Sequence, residues 1–394
     1  MENSGYFVQD NSDIEDQKLE AAKKLYQSGN YQGALKLYLD MLNASYSYKL
    51  YYEIGRCYYK LNDVDNAILF FKRSIDLESY KNPSYIFLGT IYHKLQEIEN
   101  AIENWMIAHT HRPDDENICL NLATTYFSKD MRFESFLFYE KYLKYAKDKT
   151  SAHYLEIRKS IEEFSKIGNE FYQKANIALN AKDNETAIQC LEYAARNLPN
   201  NFDINLRLGK LCYEKKDYMK ALVYLKQAFC LDKRSLDTLE LLSSTLINIG
   251  DFTGGYCCLK RIMPLVINNQ KEYLGIIQTI KQLESSFDNL SYQGHADWAE
   301  KYYSQNNYYY ALFEYENCTI INSSTLDKFD SVIQNLRLYI NPEERIIKTC
   351  FEKGATLFSA GNYKLSNKYF SKIMSLTAEN SYEYKLAKSR VVNV

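Results

Sequence analysis

Small, apolar and aromatic positions recur along the chain with a period of 34 residues: Ala67 and Ala101, Ala187 and Ala221, and Gly55 and Gly89 are each 34 apart. One frame surrounds them. It reads Tyr51-x-x-Ile54-Gly55-x-x-Tyr58 followed by Ala67, Phe71 and Ser74, then Tyr85-x-x-Leu88-Gly89-x-x-Tyr92 followed by Ala101, Trp105, Ala108 and Pro113. The pattern predicts pairs of helices joined at Gly29-Asn30, Asn62-Asp63, Gly250-Asp251 and Gly361-Asn362, whose residues tolerate positive φ at a helix C-terminus. Gly or Ala at the 55 and 67 places lets the two helices of a pair approach closely, and Tyr or Phe fills the space beside them. A single pair cannot bury its apolar face, so each depends on its neighbours.

This frame resembles the tetratricopeptide repeat (TPR), which carries an aromatic, Leu-Gly and Tyr on a first helix, then Ala, Phe and a closing Pro on or after a second. The resemblance covers roughly residues 15–394. It implies an all-α fold, an α-α superhelix or TPR solenoid of about nine helical hairpins with inserted helices. Residues 1–14 read as a tail, 15–149 as repeats one to four, 150–167 as a connecting helix and 168–269 as repeats five to seven. A second connecting helix follows at 270–291, and 292–394 holds repeats eight and nine with an inserted helix at 326–339 and a C-terminal capping helix. Repeats two, three and six keep the frame best. Four and seven keep it least, with Ser135 and Gly255 where Ala is usual. Asn341-Pro342-Glu343-Glu344 reads as a helix start, with a cap, a Pro in the first turn and acids at the N-terminus.

Composition narrows the classes of function. With 48 Lys+Arg against 50 Asp+Glu, the net charge of -2 supplies no global field for nucleic acid or an anionic membrane. Only 5 Pro and 14 Gly beside 46% hydrophobic residues argue for order. The 9 Cys form no CxxC pair or framework spacing, which suits reduced thiols in a cytoplasm. The acidic start Met-Glu-Asn lacks the features of a signal peptide, and no apolar run approaches the roughly 20 residues of a membrane span. A cytoplasmic protein without membrane insertion is the expectation.

In TPR proteins the first helices line a concave groove, so the resemblance indicates which side chains a partner would meet. Counting from the Gly place, repeats one to four offer Lys23 and Tyr26; Lys49, Tyr52, Arg56 and Tyr59; Ile86 and His93; and Leu120, Thr124 and Phe127. That is an aromatic trough edged by cations, suited to a peptide or helix carrying some acid. The competing reading is that these aromatics pack between neighbouring repeats. A secondary groove would use Tyr172, Asn176, Lys210 and Tyr213. Two specialised TPR grooves fail by residue. The carboxylate-clamp positions are Leu19, Lys23, Glu53, Pro83 and Phe87, and of the asparagine-ladder positions only Asn121 fits.

Catalytic candidates are thin, and neither cofactor nor metal is expected. His109-x-His111 precedes Asp114-Asp115, but histidines two apart do not share a helix face and are expected in solvent at a helix end. Cys257-Cys258 read as packing residues, Tyr308-Tyr309-Tyr310 as packed or exposed at a helix start, and Glu162-Glu163 as solvated. No phosphate loop, dinucleotide fingerprint or nucleophile elbow occurs. The expected function is therefore a non-enzymatic scaffold or adaptor binding peptide segments or helices of partner proteins, with no nucleic acid and the oligomeric state open. The alternative is a peptide- or ligand-responsive regulator whose curvature changes on binding. An RNA reader would need a recurring polar code and a basic face, and the groove positions supply neither.

Overall fold

A computed structural model describes residues 11–42, 46–79, 81–288, 291–359, 362–377 and 382–391. All regular structure among these is helical, and the chain divides into two compact units, Met1–Arg112 and Pro113–Val394. The first unit holds three hairpins: α1 (Asn11–Gln27) on α2 (Tyr31–Leu42), α3 (Tyr48–Lys60) on α4 (Val64–Leu77), and α5 (Ser84–Lys94) on α6 (Ile98–His111). The second begins with α7 (Glu116–Ser128) on α8 (Arg132–Tyr145). The connecting segment and the first helix of repeat five are one 29-residue helix, α9 (Ala152–Asn180), packed on α10 (Asn184–Asn197). Next come α11 (Phe202–Glu214) on α12 (Tyr218–Leu231) and α13 (Leu236–Asn248) on α14 (Phe252–Ile262), then the inserted α15 (Gln270–Glu284). The unit ends with α16 (Tyr292–Ser304) on α17 (Tyr308–Ile321), the inserted α18 (Leu326–Ile340), α19 (Pro342–Ser359) on α20 (Tyr363–Leu376), and α21 (Tyr382–Arg390).

Each hairpin turn is the same hydrogen-bonded object. After α3, Asn62 takes φ 60° and donates to Tyr59 O, while Asp63 donates to Tyr58 O. These two bonds make a Schellman closure, and its last residue is already the N-cap of α4, where Asp63 accepts from Asn66 N at 3.2 Å. Gly29 and Gly250 occupy the left-handed place as anticipated, whereas Gly361 lies outside the described residues. At the equivalent place five further turns carry Gln96, Asp130, Lys182, Lys216 and Asn306, residues whose Cβ disfavours that conformation.

The close approach within hairpins is equally regular. A Cβ added at Gly55 would lie 2.8 Å from Phe71, at Gly89 2.5 Å from Trp105, at Gly209 2.7 Å from Leu225 and at Gly354 3.0 Å from Phe370. The large partner always stands sixteen residues after the glycine. Where the frame departs from Gly and Ala, a serine hydroxyl bridges the helices. Ser135 donates to Ala123 O at 2.9 Å, Ser243 to Gly255 O at 3.0 Å and Ser366 to Gly354 O at 2.8 Å. The departures in repeats four and seven thus keep the helices close by a buried hydrogen bond.

The second unit adds contacts that a string of neighbour-only repeats lacks. Helix α17 buries Tyr308, Leu312, Phe313, Glu314, Tyr315 and Asn317 around its circumference. Phe313 meets Phe229 of α12 at 5.2 Å, and Arg261 of α14 donates to Asn317 at 2.7 Å. Tyr309 stands edge-on to Phe133 of α8 at 5.6 Å, and Tyr126 of α7 donates to Asn306 O at 3.3 Å. Of the three consecutive tyrosines, Tyr308 is therefore core and Tyr309 and Tyr310 are half-buried. Further along, Lys141 pairs with Glu343 at 2.8 Å and Asp114 with Lys372.

Gly89→Ala should destabilise the chain by about 1–3 kcal/mol, because Trp105 is almost fully buried and cannot retreat; an unchanged urea midpoint would show that the interhelix fit is loose. Lys216→Gly should stabilise by roughly 1 kcal/mol by relieving a left-handed backbone at an exposed turn. A lower melting temperature would contradict it.

Candidate partner-binding groove

The first unit carries an open cavity of about 530 Å³. It is lined by Glu15, Asp16, Leu19 and Lys23 of α1, Met41 of α2, and Lys49, Leu50, Tyr52 and Glu53 of α3, together with Pro83. Three residues expected in the groove, Lys23, Lys49 and Tyr52, thus come together on one surface. Lys49 is exposed, and Lys23 pairs with Glu20 at 2.8 Å along its own helix. Behind them the Arg56 guanidinium lies 4.2 Å from the Tyr26 ring and 5.6 Å from that of Tyr52, and bonds Glu53 at 2.7 Å. Burial raises the Glu53 carboxyl above its ordinary range, more than Arg56 lowers it, and burial likewise raises the Tyr26 and Tyr52 phenols.

Beyond that cavity the expected residues are engaged in packing. Tyr52 touches Phe71 at 6.0 Å and Phe87 at 5.8 Å, and Tyr59 touches Phe87 at 5.6 Å while accepting from Lys94 at 2.8 Å. Ile86 is half-buried and His93 exposed, its ring 5.6 Å from Trp105. Leu120, Thr124 and Phe127 belong to the second unit. There Leu120 packs beside Cys119 and Tyr142, and Thr124 bonds Leu120 O of its own helix. Phe127 lies under Arg132 at 5.5 Å and against Phe164.

Of the secondary set, Tyr172 bonds Asp203 and Asn176 accepts from Arg207 at 3.2 Å, both on α11. Tyr213 accepts from Asn248 at 3.4 Å, and Lys210 is exposed. These contacts tie the first helices of repeats five, six and seven together.

One catalytic expectation is corrected. His109 is buried rather than solvated, because Ile102, Trp105, Met106 and His109 follow helical spacing and share the buried face of α6. No group of three or more His, Cys, Asp or Glu among the described residues is placed to hold a metal. Cys257 and Cys258 are both buried, and burial raises the Cys258 thiol to about 12. Glu162 and Glu163 are exposed.

The second unit also holds a buried charge cluster that reading the repeat frame did not reveal. Lys226 of α12 bonds Glu314 of α17 at 2.6 Å, and both side chains are over nine-tenths buried. His295 of α16 reaches the other oxygen of Glu314 at 2.7 Å, and Thr253 stands 2.9 Å from the far ring nitrogen. The Lys226 ammonium also lies 5.3 Å from the rings of Tyr302 and Phe313. Burial alone would raise the Glu314 carboxyl, yet Lys226 and then His295 overcome it and hold it at about 2. The sequence signal was a Glu set between Phe313 and Tyr315, directly after the apolar run Ala311-Leu312-Phe313.

Helical hairpins of this length, closed by Schellman turns and packed through small residues, define a helical-repeat protein. Residues 19–82 and 172–229 match the sequence model of the family described as Tetratricopeptide repeat. Over those two stretches the chain carries tetratricopeptide repeats. No curated protein matches it in sequence. Among solved structures it is similar to the TPR2AB-domain:pHSP90 complex of yeast Sti1, at 12% identity, covering 69% of this chain and 99% of that one with a TM-score of 0.29. It is also similar to a tetratricopeptide repeat protein from Parabacteroides merdae, at 10% identity over 68% and 98% of the chains with a TM-score of 0.32. The P58(IPK) TPR domain aligns at 12% identity over 96% and 97%, TM-score 0.27. No helix among the described residues is long and apolar enough to cross a membrane.

The buried cluster predicts a pattern of stability. Glu314→Gln should cost about 3–5 kcal/mol by stranding Lys226, while Glu314→Leu with Lys226→Met should cost less than that single change. Additive losses in a denaturation cycle would refute the coupling. Because the folded carboxyl is depressed, its contribution is fully present above its unfolded value near 4.5 and is lost as pH falls toward 2. Acid melts of the Gln variant should therefore be flatter through that window.

Proposed function

We propose that the chain is a non-enzymatic scaffold of the cytoplasm that holds an extended segment of a partner protein in the groove of its first unit. TPR domains serve in general as surfaces for protein–protein interaction. The observation that carries the finer reading is the coincidence of the family match at 19–82 with the cavity between α1 and α3, whose walls hold Leu19, Lys23, Lys49 and Tyr52. Its apolar lining, with Glu15 and Asp16 as well as Lys23 and Lys49 at the opening, suits a segment with an apolar anchor flanked by charges of both signs. Seven buried cysteines and two half-buried ones suit a reducing compartment.

Tyr52 and Tyr59 pack between repeats, so truncating them would confuse stability with binding. Lys49→Glu and Leu19→Arg alter the rim and wall at partly exposed positions instead. Short peptides selected from a random display library against the full chain should lose about tenfold in affinity, read by fluorescence polarisation, in either variant. The Lys49→Glu loss should shrink at high salt. Selected peptides that bind both variants as they bind the parent would place the site elsewhere.

A further inference from the structure

The second unit encloses a half-open cavity of about 610 Å³ where the second helices of four hairpins meet, α8, α10, α12 and α17. Its size lies within the range of small-molecule sites. Phe133, Tyr224 and Tyr310 give it aromatic walls, and Gln227 adds an amide. Five charged side chains line it, and three of them are already satisfied. Arg132 bonds Asp130 at 3.1 Å, and Glu192 takes Lys220 at 2.7 Å.

The remaining two are Glu134 and Arg196. Glu134 is 7% exposed; its own backbone N–H and the more distant charge of Lys129 stabilise its carboxylate less than burial disfavours it. Arg196 is exposed, and its guanidinium rests 5.9 Å from the Tyr193 ring with no ion pair to a carboxylate among the described residues. A buried carboxyl is costly unless a cation or a proton neutralises it. One opposite charge for each of these groups, carried on one small molecule with an apolar body, would complete the site.

We propose that this cavity binds a small zwitterion, an amino acid or dipeptide with an aromatic side chain, its ammonium at Glu134, its carboxylate at Arg196 and its ring among Phe133, Tyr224 and Tyr310. The site is independent of the groove in the first unit. It is lined by residues of the second unit alone. Burial raises the Glu134 carboxyl to about 7, so the ammonium subsite gains charge as pH rises through neutrality.

Isothermal titration of the full chain with phenylalanine and with glycyl-phenylalanine tests the proposal. At least one should bind with a Kd below about 1 mM, more tightly at pH 8 than at pH 6. N-acetyl-phenylalanine, which lacks the ammonium, and phenylalaninamide, which lacks the carboxylate, should each bind about tenfold more weakly. Glu134→Gln should remove both the preference over the N-acetyl analogue and the pH dependence. Arg196→Gln, at an exposed position that leaves folding intact, should remove the preference over the amide. Absence of binding by both zwitterions in the folded chain, or equal affinity for zwitterion and blocked analogues, would overturn it.

Discussion

The distance between the two helices of a hairpin governs this protein. Where Gly55, Gly89, Gly209 and Gly354 stand, the facing helix comes so near that a methyl group would collide with the side chain sixteen positions later. That proximity sets how each pair presents its outer faces to the next, and small errors at one interface would propagate along the row. It also explains why the less regular repeats still pack. A serine hydroxyl occupies little more room than a methyl group, and its donated hydrogen bond satisfies the polar atom that replaces Ala or Gly.

Burial on the outer side of the hairpins follows a different rule. Helix α17 is covered by α12 and α14 as well as by its own partner, and its circumference is mostly apolar. The exceptions are answered individually: Glu314 by Lys226 and His295, and Asn317 by Arg261. An apolar helix could slide or rotate against its neighbours. One carboxylate held from two directions favours a single register, the role for which buried ion pairs are best attested.

Much of the local architecture was legible because it repeats. The Gly and Ala places, the turns at Gly29, Asn62 and Gly250, and the inserted helices near 270 and 326 each carry a signal within one 34-residue window. The turns at Lys182 and Lys216 were less visible, since backbone hydrogen bonds and the following Asp caps impose the left-handed conformation on residues that do not favour it. The burial of His109 is not apparent from its place near a helix end; it follows from the apolar stripe of α6 that His109 continues. The contacts of α17 could not be read from a repeat at all. With those of the turn before it, they join positions up to 180 residues apart, and no periodic pattern within a window encodes them. The groove stands between these cases: its residue types were readable, but whether a tyrosine faces a partner or a neighbouring repeat depends on rotamers and on the next hairpin.

The long reach of α17 and of the helices after it gives the second unit a folding problem that repeat proteins usually avoid. A row of hairpins joined only to their neighbours can nucleate anywhere and add units one by one. Here α7 and α8 finish their surfaces only when segments synthesised much later arrive, near Asn306, Glu343 and Leu376. Until then Phe133 and Tyr126 lack those partners, and loops of this length must close before the contacts form. During synthesis the first unit can therefore mature while the second waits with apolar surface uncovered, the stage at which a helical-repeat chain is most open to misassembly or to a chaperone.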